Sequence, residues 1–284
     1  MAQYAGPVLA SPVRGPAVRG LGLQLPPQAM PGWRRGRPLK QWRYLGVYSA
    51  ELMLCVGDAR IGPARQRWWA LAWPDGRLLE RTTIRRGGVH MEPARVRVDS
   101  GEVRIDLEID EPRAVETISP ARGGYVWTAK RAPVGVSGTV SVGSTRTVLD
   151  GPLGFVDDSA GYHDRHTVWQ WSAGVGRARS GEAVAWNLVA GIHDDPAVSE
   201  RSVWVDGQPR EVGPNTFAAD LSWVGFAEGG RLDFREWSAR EEDTDLLLMR
   251  SRYRQPFGAF SGELPGGLEL AEGYGVMESH DVHW

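Results

Sequence analysis

The amino-acid sequence predicts an all-β protein of two packed antiparallel β-units, barrels or strongly curved sheets, behind an irregular N-terminal arm. Three observations predict it. "EVRIDLEID" alternates strictly, with Val103, Ile105, Leu107 and Ile109 on one face and Arg104, Asp106, Glu108 and Asp110 on the other, the pattern of a half-buried strand. Asp-Gly turns and Gly-Gly pairs (87–88, 123–124, 229–230, 266–267) break the chain at short intervals. No segment of helical length carries a clean i, i+3, i+4, i+7 apolar stripe. Roughly twenty short strands exceed the about eight that close one small barrel, so two units are expected.

Residues 1–37 are rich in Pro, Gly and Arg without periodicity and read as an extended surface arm. The folded part opens with "PLKQWRYLGVYS". The apolar run "ELMLCVGDA" holds Cys55, the only cysteine, which excludes an internal disulfide and reads as a buried, inert thiol. "WPDGR" (Trp73–Arg77), Asp99-Ser100-Gly101 and "VWVDGQP" (Val203–Pro209) read as hairpin turns. Alternation stops in "LDGPLGFVDDSAG" (Leu149–Gly161), the expected boundary between a first β-domain, 38–155, and a second, 156–284. "SAREEDTDLLLMRSRYR" reads as a short helix that passes into a strand.

A formal net charge of −2 argues against nucleic acid as a partner, because polyanion binding needs a basic excess or stripe. Lys40 and Lys130 are the only lysines, a bias ascribed to codon composition. The N-terminus does not resemble a signal peptide and no apolar run is long enough to span a membrane. A soluble cytoplasmic protein is expected, with peripheral membrane contact left open. Thirteen tryptophans imply an aromatic core or a cavity for a flat or apolar ligand.

The chemistry-bearing residues concentrate in two segments. "GYHDRHTVWQW" (161–171) and "GYGVMESHDVHW" (273–284) both open Gly-Tyr and carry His, Asp and a terminal Trp. Strand periodicity puts Tyr274, Val276, Glu278, His280, Val282 and Trp284 on one mostly apolar, inward face. By the same echo, Tyr162, Asp164 and His166 are expected inward, and His163, Arg165, Thr167, Trp169 and Trp171 on the opposite face. A buried carboxyl is held protonated by desolvation and can serve as a proton donor. Asp164 and Glu278 are therefore the candidate catalytic acids, with Tyr162, His166, His280 and Tyr274 supporting. The competing reading is a satisfied Tyr–Asp–His network that fixes register. Trp169, Trp171, Trp186, Asn187 and His193 are candidate ligand-binding residues, His193 from the polar loop of "AWNLVAGIHDDPAVSERSVWVDG". His163/His166 and His280/His283 are spaced i, i+3, which on a strand sends the rings to opposite faces, so no metal cage is expected. No cofactor is expected either: phosphate-loop, dinucleotide, His-Glu-x-x-His and nucleophile-elbow signatures are absent.

"KQWRYLGVYS", "GYHDRHTVWQWSAGVG", "AWNLVAGIHDDPAVSERSVWVDG" and "PFGAFSGELPGGLELAEGYGVMESHDVHW" resemble the family known as domain of unknown function 2804. More distantly the chain resembles the double-lipocalin proteins that include carotenoid 1,2-hydratases, AttH-like proteins and tocopherol cyclase. The resemblance implies two lipocalin-like β-barrels and a hydrophobic, isoprenoid or lipid-like ligand. For the hydratases it implies cofactor-free acid catalysis at a C=C bond, of hydratase, cyclase or isomerase type. The Gly161-Tyr162-His163-Asp164 run is similar to that wider group's pattern, but Arg165 and His166 depart from its continuation. Three readings stay open: acid-catalysing enzyme, non-catalytic lipid carrier, and a structural or partner-binding β-protein with filled barrels.

Overall fold

A computed structural model describes residues 9–84, 87–122, 124–246 and 249–284. The first eight residues of the arm, Gly123 of one glycine pair, and Leu247 and Leu248 of the expected helix-to-strand segment lie outside the described residues.

Strands dominate, as the alternation predicts. Val103–Asp110 buries every odd position and exposes every even one, and it pairs with Arg95–Ser100 around Gly101, whose φ is +64°. The Asp206-Gly207 turn has positive φ at both residues, 47° and 77°, the geometry of the tight hairpins that Asp-Gly favours.

The strands form two large antiparallel sheets. The first, of eleven strands, runs from edge to edge as Leu78–Ile84, Ala64–Ala72, Met53–Ile61, Lys40–Tyr48, Thr145–Gly161, Gly124–Val142, Val103–Asp110, Arg95–Ser100 and Val89–Glu92, with Val115–Ala121 branching off Gly124–Val142. The second, of nine, runs Gln208–Glu211, Ser202–Val205, Ala183–Ala190, His166–Ala178, Leu268–His283, Met249–Leu264, Arg231–Leu246, Trp223–Phe226 and Asn215–Phe217. Among the described residues the edge strands of each sheet do not pair with each other. These are curled half-barrels, the strongly curved alternative to closed barrels. Each curls around its own core. Leu45, Val56, Leu71, Ile105 and Val136 belong to the first; Trp186, Leu188, Leu232, Phe260 and Met277 belong to the second.

The sheets share one plan. In both, the fifth strand of the path is the last to be added in sequence, Thr145–Gly161 in the first and Leu268–His283 in the second. A third apolar cluster joins them back to back, with Tyr44, Tyr48, Cys55 and Phe155 from the first sheet against Trp171, Trp204, Phe257 and Val276 from the second. Central strands are thus buried on both faces, one toward a half-barrel core and one toward the other sheet.

Three expectations change. The arm is not a loose surface segment: Val13–Arg14 pairs with Val115–Ala121, and Val18, Leu25 and Met30 pack against Ile118, Tyr125 and Tyr162. Residues 156–161 hydrogen-bond within the first sheet, and the chain enters the second only at His166. The segment from Ser238 to Arg254 is strand throughout its described part. Its charges pair across strands, Glu241 with Arg254 at 2.9 Å and Asp245 with Arg250 at 2.9 Å, which supports strand pairing where a helix was expected.

Gly174 lies under the indole of Trp186, and an added Cβ would collide with that ring. Gly174→Ala is expected to lower stability by about 1–3 kcal/mol through overpacking, read as a drop in the thermal unfolding midpoint.

Candidate active site between the two sheets

A cavity of about 180 Å³ opens between the sheets, outside both half-barrel cores. Strand periodicity and the back-to-back packing put its lining there. From the first sheet come Trp42, Tyr44, Trp68, Lys130 and Asp157; from the second come Trp169, Trp171, Tyr253, Glu278, His280 and Trp284, with His193 and Glu200 from the loop between Ala183–Ala190 and Ser202–Val205. The shared plan shows here too. Asp157 and Glu278 occupy the equivalent fifth strands, and each has an aromatic register partner on the fourth, Tyr44 for Asp157 and Trp171 for Glu278.

Glu278 is buried and held from three sides. The Trp169 indole N–H donates to Oε1 at 2.8 Å, the Gln255 amide donates to Oε2 at 3.0 Å, and the Tyr253 hydroxyl donates as well. Cys55, buried as expected, contacts Gln255 Oε1 at 3.8 Å and supports that amide; burial pushes its thiol up to about 11. Burial, reinforced by the Asp157 charge, outweighs the donors and raises the Glu278 carboxyl to about 7. His280 packs on Trp169 with ring centroids 4.4 Å apart and meets Ser251 Oγ through Nε2 at 2.8 Å. Burial lowers its pKa to about 4, so its ring is neutral over the range in which Glu278 titrates.

A second polar cluster faces the same cavity. Lys130 Nζ lies 2.7 Å from Asp157 Oδ1, its register partner on the adjacent strand, and 3.2 Å from Glu200 Oε1. Burial opposes charge on Lys130, but the two carboxylates overcome it and raise its pKa. The acids are pulled apart: burial dominates at Asp157 and raises it, whereas at Glu200 burial is the largest single effect but Lys130, His193 and Thr128 together outweigh it and lower the carboxyl. The loop that carries Glu200 is pinned. Arg201 donates to the carbonyls of Asp194 at 2.9 Å and Asp195 at 3.0 Å, and Arg14 of the arm donates to the Ser199 carbonyl at 2.6 Å. His193, at φ +51°, accepts the Glu200 N–H on its carbonyl at 3.1 Å.

Of the expected site residues, the structure brings Glu278, His280, Trp169, Trp171 and His193 to the cavity. Asp164 does not reach it. Residues 162–165 form the crossover between sheets, where strand alternation does not apply, and Asp164 lies half-exposed, 3.6 Å from Arg37 and accepting the Arg122 N–H at 3.3 Å. Tyr162 is buried under the arm, its hydroxyl donating to the Pro31 carbonyl at 2.8 Å. Tyr274 packs near Trp237, away from the cavity lining. Trp186 is in the second half-barrel core and donates to Ser172 Oγ at 3.1 Å. Asn187 is wholly buried, taking the Trp171 N–H at 2.8 Å and donating to the Glu200 carbonyl at 2.9 Å; it braces the wall rather than meeting a ligand. The echo therefore chose the wrong face of 161–171: Trp169 and Trp171, not Tyr162 and Asp164, look into the cavity.

His166 is exposed, with Nε2 2.9 Å from Asp281 Oδ1 and its ring stacked on His283 at 3.8 Å. One ligand atom from each of these three residues lies within 4.8 Å of the others. The histidines are on adjacent strands at paired positions, a juxtaposition that i, i+3 spacing does not reveal. All three stand on the surface, apart from the cavity lining.

Asp157, Lys130, Tyr253 and Gln255 were not anticipated. The one available signal was the scarcity of lysine: both Lys40 and Lys130 are buried, with Lys40 Nζ 3.8 Å above the ring of Trp284.

Residues 79–284 match the family described as Domain of unknown function (DUF2804). The chain belongs to this family. No curated protein matches the DUF2804 chain in sequence. Among solved structures, an AttH protein from Nitrosomonas europaea superposes with a TM-score of 0.56 at 13% identity, covering 91% of this chain and 98% of that one. Kievitone hydratase from Nectria haematococca superposes with a TM-score of 0.53 at 9% identity, covering 84% and 88%. At such identities the likeness establishes the shared fold of this DUF2804 protein. No helix among its described residues is long and apolar enough to cross a membrane.

Proposed function

We propose that this DUF2804 protein binds a small, largely apolar unsaturated molecule between its sheets and protonates it, with Glu278 as general acid and no cofactor. One observation carries the reading: a buried carboxyl with its pKa near 7 lines an indole-walled cavity. At neutral pH a substantial fraction of Glu278 holds a proton to give. After transfer to a C=C bond, the resulting carboxylate is already faced by the Trp169, Gln255 and Tyr253 donors, so charge develops where fixed dipoles await it. The cation formed on carbon lies among the indoles of Trp169, Trp171, Trp68 and Trp42, whose π-systems stabilise positive charge. Water adds to the cation and returns one proton to the Glu278 carboxylate, which completes a hydration; loss of a different carbon-bound proton to that carboxylate completes an isomerisation. The fold shared with kievitone hydratase, a protein named for hydration, supports this class of reaction. The cavity volume is near that of sites that hold one aromatic ring, so a long isoprenoid would place only one end inside.

The test is incubation with styrene, 4-vinylphenol and limonene in deuterium oxide, with binding followed by tryptophan fluorescence. Deuterium is expected on the former C=C carbons, with a rate that falls as pH rises through about 7 because the acid must be protonated. Binding without deuterium incorporation in any probe overturns the acid reading in favour of a carrier. Absence of binding overturns the ligand reading itself.

A further inference from the structure

We propose that the cavity has a polar end, built by Lys130, Asp157, Glu200 and His193, that seats a hydroxyl group on the ligand, so the preferred ligands are unsaturated alcohols or phenols rather than hydrocarbons. The inference rests on reading the cavity as a ligand site, and not on the proton transfer by Glu278.

The end is charged, buried and preorganised. Lys130 and Glu200 are buried, and their side chains are 4% and 3% exposed. Lys130 has three N–H donors. Asp157 at 2.7 Å and Glu200 at 3.2 Å take two of them, and the third has no partner among the described residues. His193 Nε2 is also buried without a hydrogen-bond partner, although its ring lines the cavity. A hydroxyl needs one donor and one acceptor. The Lys130 ammonium supplies the first, and the Glu200 carboxylate or the His193 nitrogen supplies the second. Much of the remaining wall is aromatic, with Trp42, Trp68, Trp169, Trp171 and Tyr253, so a molecule with one oxygen and an unsaturated body matches both surfaces. Buried polar groups also reject the analogue that lacks the hydroxyl, because that analogue leaves them desolvated and unpaired. Arg201 and Arg14 fix the Glu200 loop before any ligand arrives, which limits the ordering cost of binding.

The experiment compares 4-vinylphenol with styrene, which differ by one hydroxyl, using isothermal titration calorimetry on the full chain. Wild type is expected to bind 4-vinylphenol at least about tenfold more tightly, the scale of one hydrogen bond to a charged group. Glu200→Gln is expected to bring the two ligands within about twofold of each other, with an unchanged near-ultraviolet circular dichroism spectrum as the check that the fold is intact. His193→Phe is expected to narrow the preference with no charge removed. Glu278→Gln is expected to preserve the preference, which separates this proposal from the fate of the acid. Equal affinity in wild type overturns the proposal, as does a preference that survives both Glu200→Gln and His193→Phe.

Discussion

Glu278→Gln is expected to lower deuterium incorporation into 4-vinylphenol by about 10²–10⁴-fold, the usual contribution of a positioned general acid, while leaving its affinity within about twofold. Glutamine keeps the volume and can still accept the Trp169 N–H, so the wall survives while the transferable proton is gone. The same substitution has a signature in stability. The folded-state carboxyl titrates near 7 against an ordinary value of 4.5. Between those two pH values the folded chain retains a proton that the unfolded chain has released. Stability therefore falls as pH rises across that window, by on the order of 3 kcal/mol from this group. His280 acts in the opposite sense. Its pKa is lowered from 6.5 to about 4, so its contribution is lost as pH falls through that interval, where the unfolded chain takes up the proton first. Urea unfolding of wild type and Glu278→Gln at pH 5 and pH 8 separates the two: the variant is expected to lack the loss toward pH 8 and to keep the loss at acid pH. Equal pH dependence in both proteins, with turnover intact, would sink the assignment.

The legible part of this molecule is local. Val103–Asp110 reads from its alternation because one face meets the half-barrel core and the other meets solvent. The closing strand reads for the same reason in part: Glu278, His280, Val282 and Trp284 do share a face toward the cavity. Yet its opposite face is not solvent, since Met277 is buried in the half-barrel core. Periodicity identifies two faces but does not say which of two buried environments each one meets. The segment 161–171 misleads because its first residues are a crossover, and counting by twos from Tyr162 runs through residues with no strand geometry. The burial of Glu200 and Asp157 was illegible for another reason. Each looks like a surface acid in a Gly- or Pro-containing stretch, and what buries it is Lys130, distant in sequence and, for Glu200, on the other sheet. The repeated plan was also hidden: it lies in strand order, where Asp157 and Glu278 are equivalent, and not in the paired Gly-Tyr dipeptides.

Lys130→Met is expected to destabilise the fold by about 3–5 kcal/mol at pH 8, the cost of removing one partner from a buried ionic cluster. Methionine fills the stem's volume, so the effect isolates the ammonium. Asp157 and Glu200 then face each other without a cation in a buried site. With Lys130 gone, burial and mutual repulsion hold their folded-state pKa values above the unfolded ones. A raised carboxyl pKa means that the folded state binds the extra proton, so stability is regained as pH falls and lost as it rises. The deficit relative to wild type is therefore expected to shrink toward pH 4–5, where protons replace the missing cation. Lys130→Met combined with Asp157→Asn is expected to recover much of the loss at pH 8, because it leaves one carboxylate where there were two. Urea unfolding of the three proteins across pH 4.5–8 reads these differences directly. A deficit below about 1 kcal/mol with no pH dependence would show that solvent reaches the cluster, and a solvated cluster could neither hold Lys130 as a pre-aimed donor nor select a ligand by its hydroxyl. The stability of this buried ion cluster and the chemistry of the cavity's polar end are consequences of the same burial between the two sheets.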